Sequence, residues 1–260
     1  MAAGDLIASL PGFKHRFEET GEKVLIYQQL NAESHYYDNA IYTTLKDGVP
    51  VLMNEELFNM VRPLLQAQEY VEDFRIWQGE PVDADFDQLL IQGRCNKPYG
   101  QIQRWAFYIF PNLACDLSVP WLRLPSIPIG ISKTMTGKIL INRTERWKNP
   151  RMSYFFLKEY GDNVIFTGTE REHSKFCEEW KLNIPRLFLS NFLELAQAIS
   201  TCKVFVGSQS SAWNIAEALK VPRIVEICAG APNCIPIGPN GNDALNQVGM
   251  EYWVKTLFNK

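Results

Sequence analysis

The sequence predicts an α/β protein whose C-terminal half, residues 136–240, folds around a parallel sheet covered on both faces. Three observations carry this reading. Short apolar segments alternate with helical ones through the stretch. The segments read as strands buried on both faces. Helix-start signals sit at the joins between them.

KILINR (138–143) is the first of these strands, and a helical stretch after Pro150, MSYFFLKEY, runs up to Gly161 as a stop signal. NVIFTG (163–168) follows, then a polar helix from Thr169 to Lys181 in which Thr169 and Glu172 fit a capping box. PRLFLS (185–190) leads to a helix opened by Asn191 with Glu194, and Phe192, Leu195, Ala196 and Ile199 form its apolar stripe. KVFVG (203–207), the helix SAWNIAEALK (211–220) and PRIVEI (222–227) complete the pattern.

The N-terminal half is less regular. Residues 5–20 read as a helix kinked at Pro11 and stopped by Gly21, before a strand at 23–29. A Tyr-rich connection (31–49) precedes a helix at 54–68 and a strand near 70–77. FDQLLI (86–91) reads as a strand and QIQRWAFYIF (101–110) as a helix. Pro120, Pro125 and Pro128 mark an extended interdomain linker.

Bulk properties narrow the function. The 260 residues carry a net charge of −3, which offers no electrostatic reason for general nucleic-acid or anionic-membrane binding. No apolar run approaches the roughly 18 residues of a membrane span, and the N-terminus is a poor secretory signal. The six cysteines (Cys95, Cys115, Cys177, Cys202, Cys228 and Cys234) contain no C-x-x-C pair and read as free thiols in a reducing cytosol. His15, His35 and His173 lie far apart, so no metal site is expected and no cofactor is called for. A cytoplasmic location follows.

In an open parallel sheet, ligands bind beyond the carboxyl ends of the strands. That rule selects Asn142-Arg143-Thr144, Gly168-Thr169-Glu170, Gly207-Ser208-Gln209-Ser210-Ser211 and Glu226, with Arg146 close by. In GSQSS, Gly207 permits a tight turn out of the strand, and the serines offer hydroxyls and backbone N–H groups where a helix begins. Ser210 as a plain helix cap is the competing reading; Arg143 and Arg146 on the same edge favour phosphate. Glu226 reads either as a ribose ligand or as a solvated strand end. Glu217 and His173 read as helix-surface residues. Asp5 opens the first helix, as a cap or as a proton acceptor facing a cleft. Neither G-x-x-x-x-G-K-[ST] nor G-x-G-x-x-G occurs, which removes support for kinase or NAD chemistry.

GDLIASLPGFKHRFEETGEKV resembles the opening of bacterial heptosyltransferase-like enzymes, with its Gly-Asp pair at the first helix. LINRTERWKNP, VIFTGTEREHSKF and LAQAISTCKVFVGSQSSAWNIAEALKVPRIVEI resemble the donor domain of the same group, in the same order. The resemblance implies a GT-B-like fold: two Rossmann-like domains facing across a cleft. Residues 1–125 would form the acceptor side, 136–240 the nucleotide-sugar side, and 241–260 a C-terminal helix packing back on the N-terminal domain. Only MAA precedes Gly-Asp where the group has an apolar strand, so a trimmed N-terminal domain is expected. The late turn reads GSQSS where the group carries an Asp-Thr-Gly type sequence.

The resemblance further implies a glycosyltransferase that moves a sugar from a nucleotide-diphosphate-sugar to an acceptor hydroxyl, inverting and without a metal. Asp5 would be the base. Arg143, Thr144, Ser208, Ser210 and Ser211 would hold phosphate. The acceptor would be a glycan or another hydroxyl-bearing molecule, with a nucleic-acid acceptor mildly disfavoured by the negative charge. The alternative is a GT-B relative that binds nucleotide or glycan without turnover.

Overall fold

The computed structural model describes residues 1–35, 40–90 and 100–260. Cys95, Ile91 at the end of the expected 86–91 strand, and residues 36–39 of the Tyr-rich connection lie outside the described residues.

The chain opens with α1 (Ala3–Thr20), β1 (Val24–Gln28), the hairpin β2 (Leu45–Lys46) and β3 (Val49–Pro50), then α2 (Glu55–Gln66) and β4 (Val71–Ile76). Next come a 3-10 turn (Phe86–Leu90), α3 (Ile102–Ile109) and α4 (Ile129–Met135). The C-terminal part consists of β5 (Ile139–Asn142), β6 (Val164–Thr167), α5 (Glu170–Trp180), β7 (Arg186–Leu187), α6 (Phe192–Thr201), β8 (Val204–Ser208), α7 (Ser211–Leu219), β9 (Arg223–Glu226), β10 (Gly241–Ala244) and α8 (Gln247–Phe258).

The expected parallel sheet is present, with six strands in the order β10-β9-β8-β5-β6-β7 and every pairing parallel. This is the doubly wound order, in which the chain reverses direction between β5 and β8. The four central strands β5, β6, β8 and β9 bury every residue, which explains their largely apolar runs, whereas β7 and β10 at the edges are only partly buried. Leu140, Ile165, Phe205 and Val225 point into a core with α1, α2, α6 and α7. Ile139, Ile141, Val164, Phe166, Val204, Val206 and Ile224 point into the opposite core, with Phe176 of α5 and with Met250, Val254 and Leu257 of α8.

The N-terminal part adds its own parallel pair, β1 with β4. The first of the two cores runs without a break from Met1 and Leu6 through Phe74 and Trp121 to Trp213 and Val225. Trp121 stitches the halves together: its indole donates to the Ile7 carbonyl (3.2 Å), its backbone N–H to the Ala218 carbonyl (3.0 Å), and its own carbonyl accepts from Tyr70 (2.8 Å). The Pro120–Pro128 stretch is therefore extended but docked, not a free linker.

Several local expectations are corrected. Phe86–Leu90 of FDQLLI is a 3-10 turn, where the Asp85 carboxylate accepts from the Asp87 N–H (2.9 Å) and curls the backbone; Phe86 then packs between Phe13 and Phe110. The stretch after Pro150 forms a 3-10 segment, Phe155–Asn163, interrupted at Gly161 (φ 48°). Only Arg186–Leu187 of PRLFLS pairs as strand. Pro11 sits inside one continuous helix, which Gly21 closes at φ 72°. Residues 241–260 begin with a sixth strand, and α8 then packs against that sheet, with Phe258 edge-on to Tyr160. Among the described residues no helix is long and apolar enough to cross a membrane.

Candidate functional site

The carboxyl ends of β5, β6, β7 and β8 open on a cavity of about 440 Å³, within the usual range for small-molecule sites. Helices α1, α2, α5, α6 and α7 all begin on it, at Ala2–Ala3, Asn54–Leu57, Thr169, Asn191–Phe192 and Ser210–Ala212. A helix start carries roughly half a positive charge from its unpaired N–H groups, so these starts together favour an anion. Arg146 and Arg186 add full charges to the same wall.

The turn between β8 and α7 is held at the sheet's switch point. Ser208, fully buried, accepts from the Thr144 N–H (3.0 Å) and shares a hydroxyl contact with it (3.1 Å). Ser210 caps α7 by accepting from the Trp213 N–H (3.2 Å) and also donates to Asn142 (2.8 Å), whose amide donates to the Thr167 carbonyl (2.8 Å). Ser210 thus caps the helix, as the competing reading had it, and it also lines the cavity. Gln209 also lines the cavity, but its amide is bound to Ala231 and Asn233 and its carbonyl to the Cys228 N–H, which tethers the 228–233 loop. Gly207 makes no left-handed turn. A Cβ there would stand 2.7 Å from the Phe205 ring and 3.2 Å from the Asn142 carbonyl, so close packing is what requires glycine.

On the neighbouring strand end, Gly168 (φ 148°) and Thr169 line the cavity. The expected capping box is formed: Glu172 accepts from the Thr169 N–H and hydroxyl (2.9 Å each), and Thr169 accepts from the Glu172 N–H (3.2 Å). Burial raises the Glu172 carboxyl above its ordinary pKa, against the lowering effect of the bonds from Thr169.

Arg143 and Glu226 depart most from expectation. Arg143 turns away from the cavity and forms a two-pronged pair with Glu226 (2.8 and 3.2 Å), lying over the rings of Tyr154 and Trp180. Glu226 is fully buried and also accepts from the Tyr154 hydroxyl (2.7 Å) and the Asn149 N–H (2.5 Å). A carboxylate so filled has no lone pair for a ribose, and the guanidinium that neutralises it is not offered to phosphate. Glu217 is likewise internal, paired with Lys220 and Arg223 (2.5 and 2.6 Å). His173 is half-buried, its ring on the Ile184 carbonyl (2.9 Å).

Asp5 lies half-buried in the first turn of α1. Ala2 and Ala3 line the cavity, but Asp5 does not. Two residues past Ala3 is about 200° around a helix, on the flank near Cys234, whose thiol burial and the Asp5 charge push up to about 12. Gly4 packs against α7, where a Cβ would meet the Asn214 amide at 3.1 Å.

Sequence reasoning missed Arg186, Phe188, Tyr42–Thr44 and Glu56. The first two follow from the strand-end rule applied to β7: Arg186 donates to the Gly168 carbonyl (3.3 Å), and Phe188, 74% exposed, stands beside its guanidinium. No sequence signal marks the others, because the cavity reaches them only through packing of α1 and α2 on α7 and α6. Among the described residues no cluster of His, Cys, Asp and Glu is arranged to hold a metal, and Cys115, Cys177, Cys202, Cys228 and Cys234 are free thiols.

A doubly wound sheet with a cavity at its switch point belongs to the α/β class that places ligands beyond its strand ends. Within that class the chain shares its fold with solved glycosyltransferases. The E. coli heptosyltransferase WaaC with ADP superposes at TM-score 0.60 and 11% identity, over 99% of this chain and 97% of that one. E. coli ADP-heptose LPS heptosyltransferase II does so at 0.52 and 12%, over 100% and 96%. A glycosyl transferase family 9 protein from Veillonella parvula does so at 0.54 and 8%, over 100% and 87%. No protein-family model and no curated protein sequence matches the chain.

Proposed function

We propose that the protein is a glycosyltransferase that takes a sugar from a nucleotide-diphosphate-sugar to an acceptor hydroxyl, with inversion and without a metal. The observation that carries the reading is the cavity at the switch point, where helix starts and two arginines converge. The diphosphate lies against the starts of α5 and α7, with Thr144, Thr169, Ser210 and Ser211 around it and Arg146 and Arg186 in the same lining. As the bond to the sugar breaks, negative charge builds on the departing diphosphate, and preorganised N–H groups and guanidinium groups stabilise it where other enzymes use a cation. The exposed Phe188 ring offers a stacking face to the base.

In this reading the GT-B-like division persists functionally. Residues 136–240 hold the donor, and the wall built from Tyr42–Thr44 and α2 receives the acceptor. The fold shared with a heptosyltransferase that holds ADP supports a nucleotide-sugar as donor.

The test is a thermal-shift screen against ADP, UDP, GDP and their sugars. Saturation at a hundred times Kd adds about 2.7 kcal/mol, and a shift with one diphosphate family is expected. No shift with any of them overturns the assignment. A shift without sugar transfer to any acceptor favours a binding module instead.

A further inference from the structure

Resting on the reading above, we infer that Glu145 is a positioning residue, which holds Arg146 at the diphosphate by clamping their shared loop to α5. The loop from the end of β5 to Asn149 carries Arg146 into the cavity lining. Its two ends are fixed on the sheet. Thr144 meets Ser208 through its N–H (3.0 Å) and its hydroxyl (3.1 Å), and the Asn149 N–H donates to Glu226 (2.5 Å). Between these anchors the Thr144 hydroxyl donates to the Arg146 carbonyl (3.1 Å). Trp147 then takes a left-handed backbone (φ 49°), which a bulky residue adopts only where its surroundings impose it.

Glu145 ties this loop to its surroundings. Its side chain is 7% exposed and pairs with Arg171 (2.9 Å) and Lys175, one turn apart on α5. The Arg171 contact lies outside hydrogen-bond geometry, and Glu145 Oε2 takes no hydrogen bond. Charge therefore holds it, and a carboxylate so buried keeps its place only while cations meet it. The start of α5 belongs to the same cluster. Beyond the effect of burial, the Glu172 carboxyl is raised by the Glu145 charge and lowered by the Arg146 charge. Any shift of Glu145 carries the next residue, Arg146, with it.

Positioning and plain electrostatics predict opposite signs. Glu145 is an anion beside an anion site, so neutralising it tightens diphosphate binding if charge is all that matters. If Glu145 acts by holding Arg146 in place, neutralising it weakens binding.

The experiment titrates ADP, UDP and GDP into the full chain by calorimetry, with thermal melts to confirm folding. Glu145→Gln keeps the shape and loses the charge, and it is expected to weaken the bound diphosphate about tenfold. In an Arg146→Ala background the same change should have no effect, whereas a merely structural role costs the same in both. Replacing the clamp's exposed cations together, Arg171→Gln with Lys175→Gln, reaches the same loop should Glu145→Gln fail to fold. That pair should also weaken binding only while Arg146 is present. Unchanged or tighter binding in a folded Glu145→Gln overturns the inference. So does a loss that persists without Arg146, in either set, or wild-type affinity in Arg146→Ala or in the cation pair. If the wild type binds none of these nucleotides, the parent reading falls, and this inference with it.

Discussion

Arg143 and Arg186 illustrate how differently two arginines on one sheet edge behave. Arg143 neutralises a carboxylate that is fully buried, so Arg143→Ala leaves Glu226 unpaired in the core and is expected to cost about 3–5 kcal/mol, checked by urea denaturation. Arg186→Ala removes a half-buried side chain at a two-residue edge strand; stability should barely change. Nucleoside diphosphate affinity should fall about tenfold, the equivalent of about 1.4 kcal/mol, by isothermal titration. The reverse pattern would place the phosphate at Arg143. Lys220 provides a third case at this scale. Burial lowers its pKa from 10.5 to about 8, against the pull of Glu217. The unfolded chain therefore binds more protons between those values, and this group's contribution to stability rises as pH rises from 8 to 10.5. Relative to Lys220→Met, the wild type should gain stability across that window; a difference independent of pH would refute the shift.

At the scale of elements, the strand ends decide both packing and function. Gly207 lies within β8 where the Phe205 ring and the Asn142 carbonyl leave no room for a methyl group. Gly207→Ala should destabilise by about 1–3 kcal/mol and disturb the Ser208–Thr144 contact that sets the turn, which thermal melts and nucleotide titration would register together. The Thr169–Glu172 box and the Ser210 cap were legible in the sequence because their partners lie three residues apart. The pairing of Arg143 with Glu226 was not, because 83 residues separate them and only the β5-β8-β9 order brings them together. The 86–91 stretch misled for a local reason: an Asp85 side chain competed for the backbone that an apolar run assigns to a strand.

For the whole molecule, the continuous core from α1 to β9 couples the halves. Denaturant unfolding should show one transition, coincident by far-UV circular dichroism and tryptophan fluorescence. Two separated transitions would mean that the Trp121 stitch and the α1–α7 contact are weaker than their burial indicates. The same coupling makes the cavity composite. Part of its lining comes from the strand ends of a single sheet, and the rest from α1, α2 and residues 42–44 and 51–52.

By itself the sequence determined the parallel sheet, the helix starts and the strand ends on which a ligand would lie. These depend on apolar periodicity and on contacts within one helical turn. The tertiary structure alone decided which charges face inward and which face the cavity, because the desolvation cost of a charge is met only by a partner that folding brings to it from far along the chain.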